Sequence, residues 1–478
     1  MANSMSREQK RMKARRLRKI VLGLFALCAI MLVADIVCGI ILIAKSSKSK
    51  DSEKEESIIT TTVSTVDPSA SDASVDPTSD STLDTTPTSE TSATPSGVEV
   101  KEYLPENALA EQYWGPLPAV SEVKPVQHNE VHGIYVGAAA HMDDNIALAQ
   151  RTDINAFVLD LKDEAGGIMF NSNNEFAKDM KLYSYSRNKD TGEDSWKELG
   201  SYITSSYDLD AVVKRCHENN IKVIGRIVCF NDISLAKNHP EMSIKDANGN
   251  PMHFKLEGYK MFVNPYDPEV WDFLIDIANE AIAHGVDEIQ FDYVRFPTIS
   301  TKSGESPYFG PEDTTPTRID AINRFLQTAR RKIQDPTGIP VTADVFGIIL
   351  SSELDGKLIG QGWNTVGLTG VDAVCPMLYP SHYADNTSLN GQLFDHPDLY
   401  PHDVMYNALM CGKSASDQEG YATVRPYVQA FTATYIKHHL NYKDPEVNAQ
   451  IQAIEEAGYD EWILWQSAGD YTNRYGTT

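Results

Sequence analysis

Beyond residue 98 the chain repeats one unit: a short apolar run, a turn, then an amphipathic stretch. Eight runs read as strands: 133–137 (GIYVG), 155–161 (NAFVLDL), 221–229 (IKVIGRIVC), 286–292 (VDEIQFD), 339–345 (IPVTADV), 371–378 (VDAVCPML), 426–432 (PYVQAFT) and 461–466 (EWILWQ). Helical periodicity appears between most of them, over 142–151, 208–219, 268–284, 317–333 and 446–457. Parallel neighbours need a crossover, so strands alternating with helices predict a parallel sheet. Eight repeats over about 350 residues predict an α/β fold closed as a (β/α)8 TIM barrel spanning 98–478. A doubly wound open sheet would want a Gly-rich first turn, and GIYVGAAAHM is not one.

The repeats are uneven. Long stretches follow the second and third strands, and the excess, 163–207 and 230–267, is predicted to form loops at the carboxyl ends of the strands. Catalytic groups in such barrels come from those ends. The segment 286–297 (VDEIQFDYVRFP) shows the pattern most clearly. Strand alternation puts Gln290 and Asp292 on one face and Ile289 and Phe291 on the other, and Pro297 ends the run. Collecting polar residues at the other strand ends gives Asp160, Arg226, Arg295, Asp344, Tyr379, His382 and Gln466.

Asp292 and Asp344 lie on adjacent strands. Two facing carboxyl groups suit glycoside cleavage, where one attacks or activates water and the other protonates the leaving oxygen. Arg226, with Arg295 as the other candidate, would hold Asp292 ionised, and Asp160, Gln290, Arg295, Tyr379, His382 and Gln466 would support or bind substrate. The plainer reading is an ion network in the barrel core without chemistry. Other chemistries lack their motifs. There is no G-x-S-x-G, no H-E-x-x-H and no C-x-x-C, so neither a metal nor a cofactor is expected. Tyr183, Tyr185, Trp196, Tyr202, Tyr259 and Phe262 fall in the two long loops, where they either stack on sugar rings or pack the insertions down.

The N-terminal quarter has a different composition. Residues 20–44 are one apolar run with a single ionisable residue, Asp35, and are long enough to cross a bilayer. Asp35 costs about 3 kcal/mol near the membrane centre, but fifteen Leu, Ile, Val and Phe residues each return roughly 0.3–0.6 kcal/mol. Eight Lys and Arg residues precede the run and three follow it at once, so 1–19 is expected in the cytoplasm and the rest outside. The run is longer than a signal-peptide core and lacks an A-x-A site, which favours an uncleaved signal anchor. Residues 45–97 are rich in Ser, Thr, Asp and Pro and read as a disordered linker. The first 50 residues carry a net charge of +9, so the remainder carries −34, a poor surface for nucleic acid. Cys216, Cys229, Cys375 and Cys411 form no disulfide framework, and buried thiols are expected, with one bridge left open.

The segments FDYVRFP (291–297), KVIGRIVCFND (222–232) and CPMLYPSHY (375–383) together resemble the bacterial "putative glycosyl hydrolase domain" family. NAFVLDLKDEAG (155–166) and WILWQSAGDY (462–471) are similar to its other blocks. The resemblance implies a TIM barrel distantly similar to α-amylase-type glycosidases, often exported or membrane-tethered. By that likeness Asp292 matches the nucleophile at the end of strand four. Those enzymes place Glu at the end of strand five, where this chain has Asp344, and a third acid after strand seven, which FTATYIKHH (431–439) does not supply. The combined expectation is a single-pass cell-membrane protein whose extracellular barrel hydrolyses a carbohydrate polymer. The alternative is a non-catalytic glycan-binding barrel of the cell envelope.

Overall fold

The computed structural model describes residues 98–105, 107–188, 191–300, 302, 304–310 and 315–477. The basic segment 1–19, the apolar run 20–44 and the linker 45–97 lie outside the described residues. Among those described, no helix is long and apolar enough to cross a membrane.

Eight parallel strands close on themselves. They are β1 (His132–Gly137), β2 (Ala156–Lys162), β3 (Lys222–Val228), β4 (Glu288–Asp292), β5 (Val341–Phe346), β6 (Ala373–Met377), β7 (Tyr427–Gln429) and β8 (Trp462–Trp465). Each pairs with its neighbour in chain order, and β8 pairs with β1 through His132↔Trp462 to Ile134↔Leu464. The barrel expected from the sequence is therefore present, strand for strand. Outward-facing strand residues such as Phe157, Val223, Ile289, Phe291, Ala343 and Val374 join one apolar cluster with the surrounding helices. Inward-facing Val131, Tyr135, Ala156, Val158, Ile224, Cys375, Tyr379, Tyr427 and Ile463 form a second cluster inside the barrel.

Among the described residues, the helices of at least seven residues that lie between the strands are α1 (Met142–Ala149), α2 (Leu209–His217), α3 (Pro268–Ala283), α4 (Arg318–Ala329), α5 (Glu353–Ile359), α6 (Pro401–Ser416) and α7 (Asp444–Glu456). Their starts follow local chemistry. Asp208 caps α2 by accepting from the Ala211 N–H, and Asp267 caps α3 with Pro268 at its first position. Thr317 and Asp320 form a capping box on α4. Sequence periodicity did not indicate α5 or α6. In α6 the apolar stripe is interrupted by Gly412, a poor helix former. It is there for packing: its carbonyl accepts the Trp363 indole N–H at 2.8 Å, and a Cβ at Gly412 would lie 2.5 Å from that nitrogen.

The two insertions follow β2 and β3, as expected, but the first is more ordered than a loop. It holds an antiparallel hairpin, Lys181–Arg187 with Asp194–Ser201. It also adds strands Ile168–Phe170 and Ile203–Tyr207 to the edge of β2. The insertion aromatics mostly pack. Tyr202 and Phe262 are fully buried. Tyr185 meets Trp196 at 5.0 Å and stacks on His253 at 4.6 Å, so the first insertion rests on the second. The four cysteines among the described residues are free; Cys216, Cys229 and Cys375 are buried and Cys411 is half-buried.

The floor of the barrel is ionic. Arg425, fully buried, donates to Glu461 at 2.6 Å and to Glu288 at 2.5 Å, and Thr342 donates to Glu288 at 3.0 Å. Removing Arg425 would leave the buried Glu288 carboxylate without a cation and Glu461 with His128 alone, and breaking such a buried pair typically costs about 3–5 kcal/mol. Arg425→Met should therefore lower the urea-unfolding free energy of the barrel by about that amount, while a change below 1 kcal/mol would mean the network contributes little.

Candidate active site

At the opposite, carboxyl end, one side chain gathers the site. Arg226 projects inward from β3 and is 1 % exposed. Its Nε and Nη2 both donate to Asp292 Oδ2, at 2.9 and 2.6 Å. Its Nη1 donates to Asp160 Oδ1 at 2.6 Å, and Nη2 also reaches Glu164 Oε1 at 3.0 Å. Three carboxylates from β2, the turn after it and β4 thus share one guanidinium. Tyr135 of β1 donates its hydroxyl to Asp160 Oδ2 at 2.6 Å. The rings of Tyr135 and Trp465 lie 4.0 Å apart, and the guanidinium stands over both, at 5.6 and 5.5 Å. Such contacts hold a planar cation well.

Asp292 ends β4. Its second oxygen, Oδ1, accepts the backbone N–H of Tyr293 at 2.5 Å, and Tyr293 has a left-handed backbone (φ 48°). That conformation is costly for a large aromatic residue and turns the chain sharply just past the acid.

Asp344 lies on β5. The β4–β5 ladder pairs Thr342 with Gln290 and Ala343 with Phe291, so one step further Asp344 stands beside Asp292. It is 1 % exposed, its Oδ1 has no hydrogen-bond partner, and it makes no ion pair among the described residues. Burial first, and then the neighbouring Asp292 carboxylate, hold its pKa well above the ordinary carboxyl range, while Arg226 and Tyr427 pull the other way. A buried acid with a raised pKa beside a carboxylate tied to arginine is the pairing that separates a proton donor from a base.

The remaining predicted residues are distributed around this pair. Gln290 lies one layer below, accepting the Tyr427 hydroxyl at 2.6 Å and donating to Cys375 Sγ at 3.4 Å. Tyr379 is buried at the end of β6; burial and the two site carboxylates push its hydroxyl well above the usual range. His382 meets the Tyr379 ring edge-on at 4.9 Å. Its Nε2 has no partner, and burial lowers its pKa to about 4. Arg295 does not touch Asp292. It forms a two-pronged pair with Glu257, at 2.9 and 3.2 Å, which pins the second insertion to the turn after β4. Gln466 turns back on its own loop, accepting the N–H groups of Ala468 and Asp470 at 2.6 and 3.4 Å.

Sequence reasoning missed Tyr135 and Trp465, and gave Glu164 no role. Tyr135 shares a strand face with Gly133 and Gly137, so alternation alone would have turned it inward. It missed Tyr471 as well, whose hydroxyl sits between β1 and β8, with the Tyr135 N–H at 3.1 Å and the Leu464 carbonyl at 2.9 Å.

No curated protein matches the chain. Among solved structures it is similar to a hypothetical protein from Ruminiclostridium thermocellum, at 33 % identity over 44 % of this chain and 97 % of that one, with a TM-score of 0.35. It is similar to the PgaB (BpsB) glycoside hydrolase domain from Bordetella bronchiseptica, at 11 % identity over 72 % of this chain and 95 % of that one, TM-score 0.45. It is also similar to α-L-fucosidase isoenzyme 2 from Paenibacillus thiaminolyticus, at 17 % identity over 72 % and 48 %, TM-score 0.41. The barrel assignment rests on the strand pairing described above. A family profile described as "Putative glycosyl hydrolase domain" matches residues 131–471, from the residue before β1 to Tyr471 beyond β8, and the chain belongs to that family.

Proposed function

We propose that this protein is a membrane-tethered extracellular glycoside hydrolase that cleaves a carbohydrate polymer with Asp292 and Asp344. The observation that carries the reading is the asymmetry of two neighbouring acids: one bound twice by Arg226, the other buried without a cation. Asp344 gives its proton to the glycosidic oxygen as the bond to the anomeric carbon breaks. Asp292 either attacks that carbon or takes a proton from the attacking water. Neighbouring strands are about 4.8 Å apart, which favours the short carboxyl separation of the attacking kind. Half-buried Trp465, beside the guanidinium, offers a ring face to a sugar. The tether is residues 20–44, with the N-terminus in the cytoplasm.

A second reading is a non-catalytic glycan-binding barrel. What favours it is Arg226 itself, which satisfies three carboxylates at once as a purely structural network would.

Activity separates the two. Asp292→Asn leaves Arg226 paired with Asp160 and Glu164, so the fold should persist with little change in Tm. Turnover on a polysaccharide found by panel screening should fall by about 10³-fold or more. Full activity in that variant would make Asp292 structural.

Two groups set an unusual pH dependence. Asp344 and Asp163 both have a raised pKa in the fold, Asp163 to about 6 through burial and the nearby Asp160. A native state that holds protons the unfolded chain has released loses stability as pH rises. For Asp163 that loss falls between its ordinary 3.8 and about 6. Asp163→Asn should thus gain in Tm over the parent as pH rises through this window. Asp344→Asn should likewise be at least as stable as the parent at neutral pH, yet inactive. A variant less stable than the parent across the whole range would contradict the assignment.

The tether is tested on wall-stripped cells. Added protease should cut within 51–97 and release a soluble folded fragment of about 380 residues, if the anchor crosses the bilayer once with the barrel outside. Full protection would reverse the orientation, and a mature N-terminus beyond residue 44 without protease would show a cleaved secreted protein.

A further inference from the structure

At the rim of the barrel, outside the carboxylate site, three metal-ligating side chains converge. Asp385 and His396 belong to the loop after β6, and His438 to the loop after β7. One ligand atom from each lies within 4.8 Å of the others. The geometry points to a binding site for a divalent zinc-class cation formed by Asp385, His396 and His438, which ties these two loops together.

The local fold builds the site. A short hairpin, Thr387–Leu389 with Gln392–Phe394, pairs Thr387 with Phe394. Asn386 N–H donates to the Asp395 carbonyl at 3.1 Å, which carries the pairing one step further. The next cross-strand pair is Asp385 and His396, and cross-strand partners project to one side. Their Nδ1 and Oδ1 atoms are 3.1 Å apart, yet that nitrogen makes no aligned hydrogen bond. Two donors aimed at a common point give this arrangement. Ligands about 2.0–2.1 Å from a tetrahedral zinc ion lie about 3.3 Å from one another. The His396 and His438 rings are 3.6 Å apart at their centroids, a crowding that a cation between their nitrogens would exploit.

The loops are also held from behind. Asp398, buried, accepts Gln429 Nε2 of β7 at 2.9 Å through Oδ1 and the Leu440 N–H at 3.1 Å through Oδ2. His439 Nδ1 contacts the Ile436 carbonyl at 2.7 Å, which fixes the turn carrying His438. Ligands positioned by such outer partners need little reordering to bind. Two imidazoles and one carboxylate suit Zn2+ or Co2+ rather than Ca2+ or Mg2+, which want oxygen ligands. Sequence reading expected no metal site because spacing shows no motif: the three residues lie 11 and 42 positions apart, and only the barrel brings them together. The proposal is independent of the hydrolase reading.

The test uses full-length protein stripped with a chelator and then titrated with Zn2+ calorimetrically and with Co2+ by visible absorption. One equivalent of Zn2+ should bind, raise Tm, and remain bound in excess Mg2+. His396→Ala and His438→Ala, at half-buried surface positions, should each weaken Zn2+ at least tenfold without changing the circular dichroism. Co2+ should give the visible bands of a four- or five-coordinate nitrogen and oxygen site. Absence of stoichiometric binding, competition by Mg2+, or unchanged binding in the His396→Ala/His438→Ala double variant would overturn the site.

Discussion

The upper half of this barrel depends on one buried cation. A guanidinium removed from water is costly unless its donors are all met, and Arg226 meets them with oxygens from three chain segments. That requirement fixes the relative heights of β2, β3 and β4 at their carboxyl ends. It also fixes the rings of Tyr135 and Trp465, which flank it. Because Asp160 and Glu164 share the charge, Asp292 is not the only counter-ion. A site that must alter the charge on one acid during a reaction gains from such redundancy, since the cation is never left bare.

Most of the fold was legible in the sequence because its strands are short, apolar and separated by recognisable turns. All eight expected strands appear within two residues at their starts. Helices α1, α2, α3, α4 and α7 were legible through their stripe and their caps. The other two were not, because their sequences answer to tertiary packing: Gly412 is there for Trp363, a residue 49 positions away. The first insertion was read as loop because its hairpin is mostly exposed and polar. Its strands, KLYSYSR and DSWKELGS, bury no continuous face.

The candidate site was legible in part, for the same reason. Strand alternation is a local rule, so it placed Asp160, Arg226, Gln290, Asp292 and Asp344 inside the barrel. It could not say which cation meets which acid. Arg226 is the expected partner of Asp292 with Arg295 as the other candidate, and the first does pair with it while the second pairs with Glu257. That choice is made by the second insertion, which delivers Glu257 to the turn after β4. The Asp385, His396 and His438 cluster was invisible for a related reason, since its members meet only across two loops.

One strand shows why charge alone does not mark a site. Glu288, Gln290 and Asp292 face the barrel interior at three levels, with the same residue types above and below. At the floor Glu288 meets Arg425, and at the top Asp292 meets Arg226. Between them the Gln290 amide, bonded to Tyr427 and Cys375, keeps a neutral layer. The difference between the two ends is what neighbours the ion pair. At the floor the next carboxylate, Glu461, also binds the arginine and meets His128 with its other oxygen, so each acid there has a basic partner. At the top the next carboxyl, Asp344, is bound by no cation, and burial favours its protonated form. A network in which each acid is held by a basic side chain ties strands together. One that leaves a neutral acid beside a fixed carboxylate has a proton to give, and the end of the barrel that has it is the end where the loops open.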